Sequence, residues 1–414
     1  MNAAVKPRSR SRRWPWLLIA AAGLLAFLVF DTQPTLPDPV SPTALQAQKA
    51  RELATRMSAG FSARGNVNLY AGPEEIRSTA LLVSSRGKVG RVDARIEEDQ
   101  LVLRASRPFG PVWLNLKAIV PSNPDGFPAA RIWLGRLPLG ETLSGHAIQL
   151  ALRLALRGEA RVPALDDLVR RVAINRAGLT IQLAPRKAGL DRALAAMGGS
   201  GADPALTREV YCALIEADTA KPDTDFAAVV RRAFRHPMSG SQEAAHRARF
   251  VALAIYTVGQ PATNLAGSAS ARIDACGRPH ATPLLRGRND LPMHWAASAA
   301  LAATAGSDFG AAVGELKELA DSRPDGSGFS FVDLAADRSG LLVAKRGIDT
   351  GTSAAVAQAM QQVTAAQLLP IAVMAGEEGL SEAQFLARYR NLGSDVLVHT
   401  TARIDSIVLA GLGL

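Results

Sequence analysis

The sequence predicts an α+β protein: an N-terminal transmembrane helix, an antiparallel β-rich domain with a packed helix, then an all-α domain. Three observations predict it. A basic head runs into an uncharged apolar stretch, a period of two recurs between residues 65 and 183, and helical periodicity governs almost everything after a Gly-rich break at 198–204. The predicted organisation is a basic cytoplasmic tail over 1–13, a signal anchor over 14–30, a Pro-rich spacer over 31–43, a β-rich domain over 44–197 and a helical domain over 205–414.

The head carries Lys6, Arg8, Arg10, Arg12 and Arg13 with no acid among them, half of the chain's formal charge of +10. Trp14 to Phe30 then holds no charge. At 1.5 Å per residue it just spans a bilayer core, with the Trp14/Trp16 pair at one interface. No small-x-small cleavage site follows the run, and no Cys ends it, so an uncleaved anchor is expected in place of a cleaved signal peptide or a lipoprotein. The positive flank stays in the cytoplasm, which places a single-pass protein in a bacterial inner membrane with its C-terminal body in the periplasm. The membrane would then be a partner through residues 14–30. Away from the head, basic residues are not gathered on one element with aromatics, so no nucleic-acid partner is expected. With 48% hydrophobic and 20% charged residues, the chain is neither disordered nor polytopic.

Pro34, Pro37, Pro39 and Pro42 make 31–43 a stiff, extended spacer. A helix follows over 44–57, with Thr43 as its cap. Alternation marks strands at 92–96, 101–105, 112–118, 131–134 and 179–183, with Glu97-Glu98-Asp99-Gln100 as a turn and a basic amphipathic helix over 148–157. Beyond the break the helical stretches are 205–217, 225–234, 242–258, 293–305, 309–322, 332–342, 353–375 and 381–390, the last opened by a Ser381/Gln384 capping box. Within 353–375, Thr364 to Ala375 is a buried helix too short to span a bilayer. Cys212 and Cys276 form a disulfide candidate if the body is extracytoplasmic; the alternative is two buried thiols.

No phosphate loop, dinucleotide fingerprint, HExxH or GxSxG is present. Ser85-Arg86-Gly87-Lys88 matches S-x-x-K only by chance, at a hairpin turn. His146, His236, His246, His280 and His399 are scattered without spacing logic. Residues 288–340 stand apart. His294 and Ser298 are i, i+4 on one helix; Glu315, Glu318 and Asp321 follow an i, i+3 course on the next; Asp333 and Asp337 are again i, i+4, with Ser330 as their helix cap. Ala296, Ala297, Ala299, Ala300, Ala302, Ala303, Ala335 and Ala336 surround them and allow the helices to pack closely. Such packing would gather His294, Glu318, Asp321 and Asp333 or Asp337, which must then pair with one another, with Arg288, Lys317 or Arg338, or with a cation. The metal-ligand candidates are His294, Asp333 and Asp337. Oxygen-rich ligands suit magnesium, calcium or manganese, and His294 admits zinc.

The stretch H-x3-S … K-E-x2-D-S … G-S-G-F-S-x2-D-L-A-A-D-x2-G resembles the YfiM-type lipoprotein domain of bacterial envelopes. It is distantly similar to the VanZ-like signature, here with Asp290 and His294 as the opening and Asp337 where that pattern has Asn. The resemblance covers about fifty residues and implies an envelope setting, with no reaction attached. Two functions are expected from this reading. One is a non-enzymatic role in envelope assembly or maintenance through a glycan, lipid or protein partner. The other is a cation-assisted hydrolase or transferase acting on an envelope glycan or lipid through His294 and the acidic residues of 315–337. The plain alternative to both is a polar network that fixes helix register.

Overall fold

A computed structural model gives the fold and describes residues 14–38, 42–62, 67–85, 90–155, 164–183, 202–263, 273–305, 314–315 and 317–414. The chain opens on α1 (Trp14–Val29), and β1 (Phe30–Asp31) follows without a break. Then come α2 (Ala44–Ser62), β2 (Val67–Ala71), α3 (Pro73–Ser85), β3 (Arg91–Glu97), β4 (Gln100–Phe109), β5 (Val112–Val120), β6 (Arg131–Leu134), β7 (Leu137–Leu139), α4 (Glu141–Ala155), β8 (Val169–Asn175) and β9 (Gly178–Leu183). Strands β3 to β7 pair in sequence order, all antiparallel, and β1 adds to β5; β2, β9 and β8 form a second antiparallel sheet. The alternation read at 92–118 sets the register: Ala94, Leu103, Ala118 and Ile132 share one face, and Asp93, Arg104, Lys117 and Trp133 the other. Helix α3, with Ile76 and Ala80, covers the apolar face. The period-two reading of the region passes over α3, whose own core face is only a few residues long.

The α+β class with its antiparallel β-rich domain is what the structure shows, but its transmembrane element is not. Among the described residues no helix is long and apolar enough to cross a membrane. The backbone explains the difference. Phe30 and Asp31 pair with Leu114 and Trp113 in the sheet, and the Arg136 amide donates to the Leu28 carbonyl. The helix therefore ends at Val29, and its 16 described residues rise about 24 Å at 1.5 Å per residue against a hydrocarbon core of about 30 Å. This corrects the anchor over 14–30 and the single-pass inner-membrane placement.

The Pro-rich segment also departs from an extended spacer. It lies across the polar face of the sheet. The Thr35 amide donates to Ser106 Oγ and Asn115 Oδ1, Asn115 donates back to Asp31 and the Gln33 carbonyl, and Arg91 reaches the Leu36 carbonyl and Asp38. Ser106 and Asn115 are buried beneath it, which is tolerable only because the strap satisfies them. Residues 39–41 lie outside the described residues, as do 1–13, Arg86 to Lys88 of the S-x-x-K match, most of the 198–204 break, and 309–313 with Leu316 of the helix expected over 309–322.

The helical domain comprises α5 (Pro204–Ala220), α6 (Phe226–Arg235), α7 (Gln242–Val258), α8 (Asp290–Ala305), a helical turn over 317–321, α9 (Phe331–Gly347), α10 (Ser353–Met360), α11 (Glu382–Tyr389) and α12 (Asp395–Leu412). Asp203, Asp225, Ser241, Ser330, Ser381 and Ser394 cap the helices that follow them, and Ser381 with Gln384 makes the expected capping box. The single helix expected over 353–375 is broken into α10, a turn at Ala365–Leu368 and a 3₁₀ turn at Ile371–Val373. The first break falls after Met360, a Thr364/Gln367 capping box opens the next turn, and Pro370, which supplies no amide, follows the end of that turn. Helix α2 joins the two domains: Ala44 and Ala47 enter the helical core, the Ala44 amide donates to Glu382, and Leu53 packs against the sheet.

Helices α8 and α9 form the centre. Ala296, Ala299, Ala300, Ala303, Ala335 and Ala336 are fully buried, and Gly340 passes so close to α8 that a Cβ would overlap the Trp295 carbonyl oxygen. Trp295 Nε1 donates to Ser339 Oγ, which donates to the Leu368 carbonyl. Gly340→Ala is expected to destabilise the chain by about 1–3 kcal/mol, the cost of overpacking a tight core. Gly145→Ala, on an exposed turn of α4 with nothing within 4 Å, should be neutral or stabilising. Thermal unfolding of the two variants checks this. An unchanged midpoint for Gly340→Ala would show that α8 and α9 separate without cost.

Candidate functional site

The site forms where α8, the 317–321 turn and α9 meet. Each contributes for a local reason. Arg288 and Asp290 open α8, and one turn on, His294 faces α9 because Leu291 and Trp295 beside it are drawn into the core. The start of α9 is set by Ser330, whose Oγ accepts from the Asp333 amide at 3.1 Å. Gly328 precedes it with φ +88°, and a Cβ there would strike the Gly379 backbone; only glycine allows that approach. Phe329 then exchanges backbone hydrogen bonds with Leu380, which brings the 376–381 loop and Glu378 to the site.

His294 lies at the middle. Its Nε2 is 3.5 Å from Asp333 Oδ2; its Nδ1 is 3.3 Å from Asp337 Oδ1 and 3.9 Å from Glu318 Oε1. One donor atom from each of His294, Glu318 and Asp333 lies within 4.8 Å of the other two, a spacing that can hold a metal ion. Ser298 Oγ donates to Asp337 Oδ1 at 2.7 Å. Glu318 accepts from Lys317 Nζ at 3.0 Å and from the Ser330 amide at 3.2 Å. Arg288 donates to Asp333 at 2.8 Å, to Asp290 at 2.6 Å and to Glu378. His294, Glu318, Asp333 and Asp337 are buried, whereas Arg288 and Lys317 are each about 30% exposed.

Six carboxyl groups, on Asp290, Glu318, Asp321, Asp333, Asp337 and Glu378, thus share two permanent cations and one imidazole in the contacts described. Burial pushes the Glu318 carboxyl up to about 7, with Lys317 opposing and Asp337 adding to the rise. Burial likewise raises Asp333 against the pull of His294 and Arg288. Burial would lower His294, but Asp337 and Glu318 outweigh it and the imidazole is shifted up. Lys317 is treated the same way: burial lowers it, and Glu318 with Asp321 carries it up.

Of the residues read from the sequence, His294, Glu318, Asp333 and Asp337 converge. Ser298 joins them through Asp337, and Ser330 through its cap and its bond to Glu378. Asp321 stands outside the donor group, bonded to Lys317 at 2.7 Å. The expected donor set of His294, Asp333 and Asp337 is altered, with Glu318 in place of Asp337. Asp333 meets Nε2 and Asp337 meets Nδ1, and the group of mutually close donors takes in Asp333 and Glu318 but not Asp337. Arg338 turns away to Asp405 at 2.6 Å and is no counter-charge for Glu318. Glu378 was invisible in the sequence, because only the long-range Phe329–Leu380 pairing brings it near. Cys212 and Cys276 are joined as a disulfide between α5 and the turn at Asp274–Cys276, with Cα atoms 5.1 Å apart.

No protein-family model, curated protein or solved structure matches this chain.

The upward shifts set a pH dependence. Glu318 takes up its proton near 7 in the fold and near 4.5 when unfolded. Between those values the folded chain holds a proton that the unfolded chain has released, so stability is full below about 4.5 and is lost as the pH rises through 7. Asp333 and His294 are shifted in the same sense. The thermal midpoint of chelator-treated protein should therefore fall by several degrees as the pH rises from 4.5 to 7.5, and Glu318→Gln should flatten most of that slope. An equal slope in the variant would place the proton uptake elsewhere.

Proposed function

We propose that the helical domain binds a divalent cation at His294, Glu318 and Asp333 and uses it for hydrolysis or group transfer on an envelope glycan or lipid. The observation that carries this reading is the convergence of three buried donors from three separate helical segments. The excess of carboxyl groups around them supports it, since negative charge in an interior calls for positive charge. One imidazole nitrogen and two carboxylate oxygens suit manganese or zinc and leave coordination positions open. Such a cation, when bound, polarises a substrate oxygen and acidifies a water beside it. The chain supplies the rest. Arg288 and Lys317, at the mouth of the site, stabilise negative charge that develops on the substrate. Glu378 and Asp290 hold Arg288 in place, and Asp321 holds Lys317. The envelope substrate rests on the resemblance of 288–340 to envelope modules, and the Cys212–Cys276 disulfide accords with an oxidising setting.

The test begins with full-length protein stripped by chelator and titrated with zinc and with manganese in a calorimeter. Wild type should bind one ion. His294→Ala and Asp333→Ala should each weaken binding by at least about 100-fold, more than loss of an outer partner costs, while Asp321→Ala should change it little. Loaded protein is then assayed for release of reducing ends from peptidoglycan fragments and of phosphate or acyl groups from phospholipids. Absence of binding overturns the cation site, and turnover that survives both chelator and His294→Ala overturns its part in the chemistry.

A further inference from the structure

Asp337 lies against the cation site without belonging to its donor group. It is 5% exposed, and its two oxygens are treated differently. Oδ1 faces both His294 Nδ1 at 3.3 Å and Ser298 Oγ at 2.7 Å. Oδ2 is buried with no hydrogen-bond partner among the described residues. Gly314 backs onto it, where a Cβ would come within 3.1 Å, so that side has no room for a side-chain donor. His294 and Ser298 are one turn apart on α8, and Asp333 and Asp337 one turn apart on α9. The two helices therefore present a pair of stacked polar layers, Asp333 with Nε2 above and Asp337 with Nδ1 and Ser298 below.

A carboxylate only accepts hydrogen bonds. The 3.3 Å hydrogen bond to Asp337, nearer than Asp333 at 3.5 Å from Nε2, is therefore made when the imidazole carries its proton on Nδ1, and a neutral ring so protonated has its lone pair on Nε2. Glu318 Oε1 is the only competing acceptor described near Nδ1, and at 3.9 Å it is beyond hydrogen-bond range. Ser298 has one proton, and it is given to the same Asp337 oxygen, which fixes the carboxylate against rotation. The bare Oδ2 also calls for positive charge near the ring, and a cation on Nε2 supplies it.

We infer that Asp337, locked by Ser298, is a positioning residue that sets the tautomer of His294 so that Nε2 is the metal-binding nitrogen. The assignment of Nε2 as ligand rests on the cation reading above; the tautomer itself does not, and the two fail separately.

Nitrogen-15 correlation spectra of histidine-labelled, metal-free full-length protein, recorded where the ring is neutral and assigned with His294→Ala, read the tautomer directly. Wild type should show the proton on Nδ1. In Asp337→Asn, whose amide can donate to Nδ1, the proton should move to Nε2, and zinc affinity should fall by about 10- to 100-fold, the usual cost of losing a metal ligand's outer partner. Ser298→Ala should shift both in the same direction by less, and it serves if Asp337→Asn does not fold. A wild-type ring protonated on Nε2 overturns the inference. So does unchanged zinc affinity in a folded Asp337→Asn. If wild type binds no zinc but keeps the proton on Nδ1, the cation reading fails and the positioning role stands.

Discussion

The close approach of α8 and α9 is the constraint on which the rest of the helical domain depends. Alanines and Gly340 remove the side-chain volume that would keep the helices apart, and the Trp295 carbonyl takes the space a Cβ would need. At that separation, polar residues on the facing stripes cannot avoid one another or reach water. His294 and Ser298 on one helix and Asp333 and Asp337 on the other are forced into contact, and the 317–321 turn closes the third side with Glu318. A looser pair of helices would hydrate these groups separately, and their proton affinities would stay near ordinary values. The perturbed carboxyls thus follow directly from backbone packing.

The charge balance of the cluster gives it a direction. Its buried floor is rich in carboxyls, and its cations, Arg288 and Lys317, stand at the more exposed rim. Each cation already pairs with one buried acid, Arg288 with Asp333 and Lys317 with Glu318, and is shared with further acids, Asp290 and Glu378 on the one and Asp321 on the other. A structural ion-pair network would be expected to distribute its charges evenly, because an uncompensated buried charge is costly to retain. Buried acids beneath a rim where Arg288 and Lys317 are matched by Asp290, Asp321 and Glu378, with one carboxylate oxygen unpartnered among the described residues, suit a site that receives a cation, and the same helix packing that gathers them keeps the donors rigid.

Another tie links the two domains. Helix α2 places its first turn in the helical core and Leu53 against the sheet. The segment between α1 and α2 is laid over the sheet, where it buries Ser106 and Asn115 and supplies their hydrogen bonds. Backbone pairing of Phe30 and Asp31 with β5 consumes the end of the apolar run. The strap and the β1 pairing answer one demand: polar groups withdrawn from water must find partners, and strap and sheet supply them to each other.

Local pattern by itself determined the α+β class, the strands at 91–120, most helix starts and the short list of site residues. Alternation, capping residues and i, i+4 spacing are short-range signals, and each is readable within a few turns of chain. Tertiary structure alone decided that the apolar run ends in a sheet, that the proline segment is a strap, that α3 interrupts the strands, and that the expected long helix breaks after Met360. It also decided which nitrogen of His294 each aspartate meets. The spacing of Asp333 and Asp337 placed both near one point, but the relative rotation of α8 and α9 put the imidazole between them and admitted Glu318 as third donor. Glu378 was beyond any local signal, since a backbone bridge between residues 51 positions apart, Phe329 and Leu380, carries it to Arg288. Pattern names the residues that an interior must reconcile; only the packing of helices against one another settles how they are reconciled.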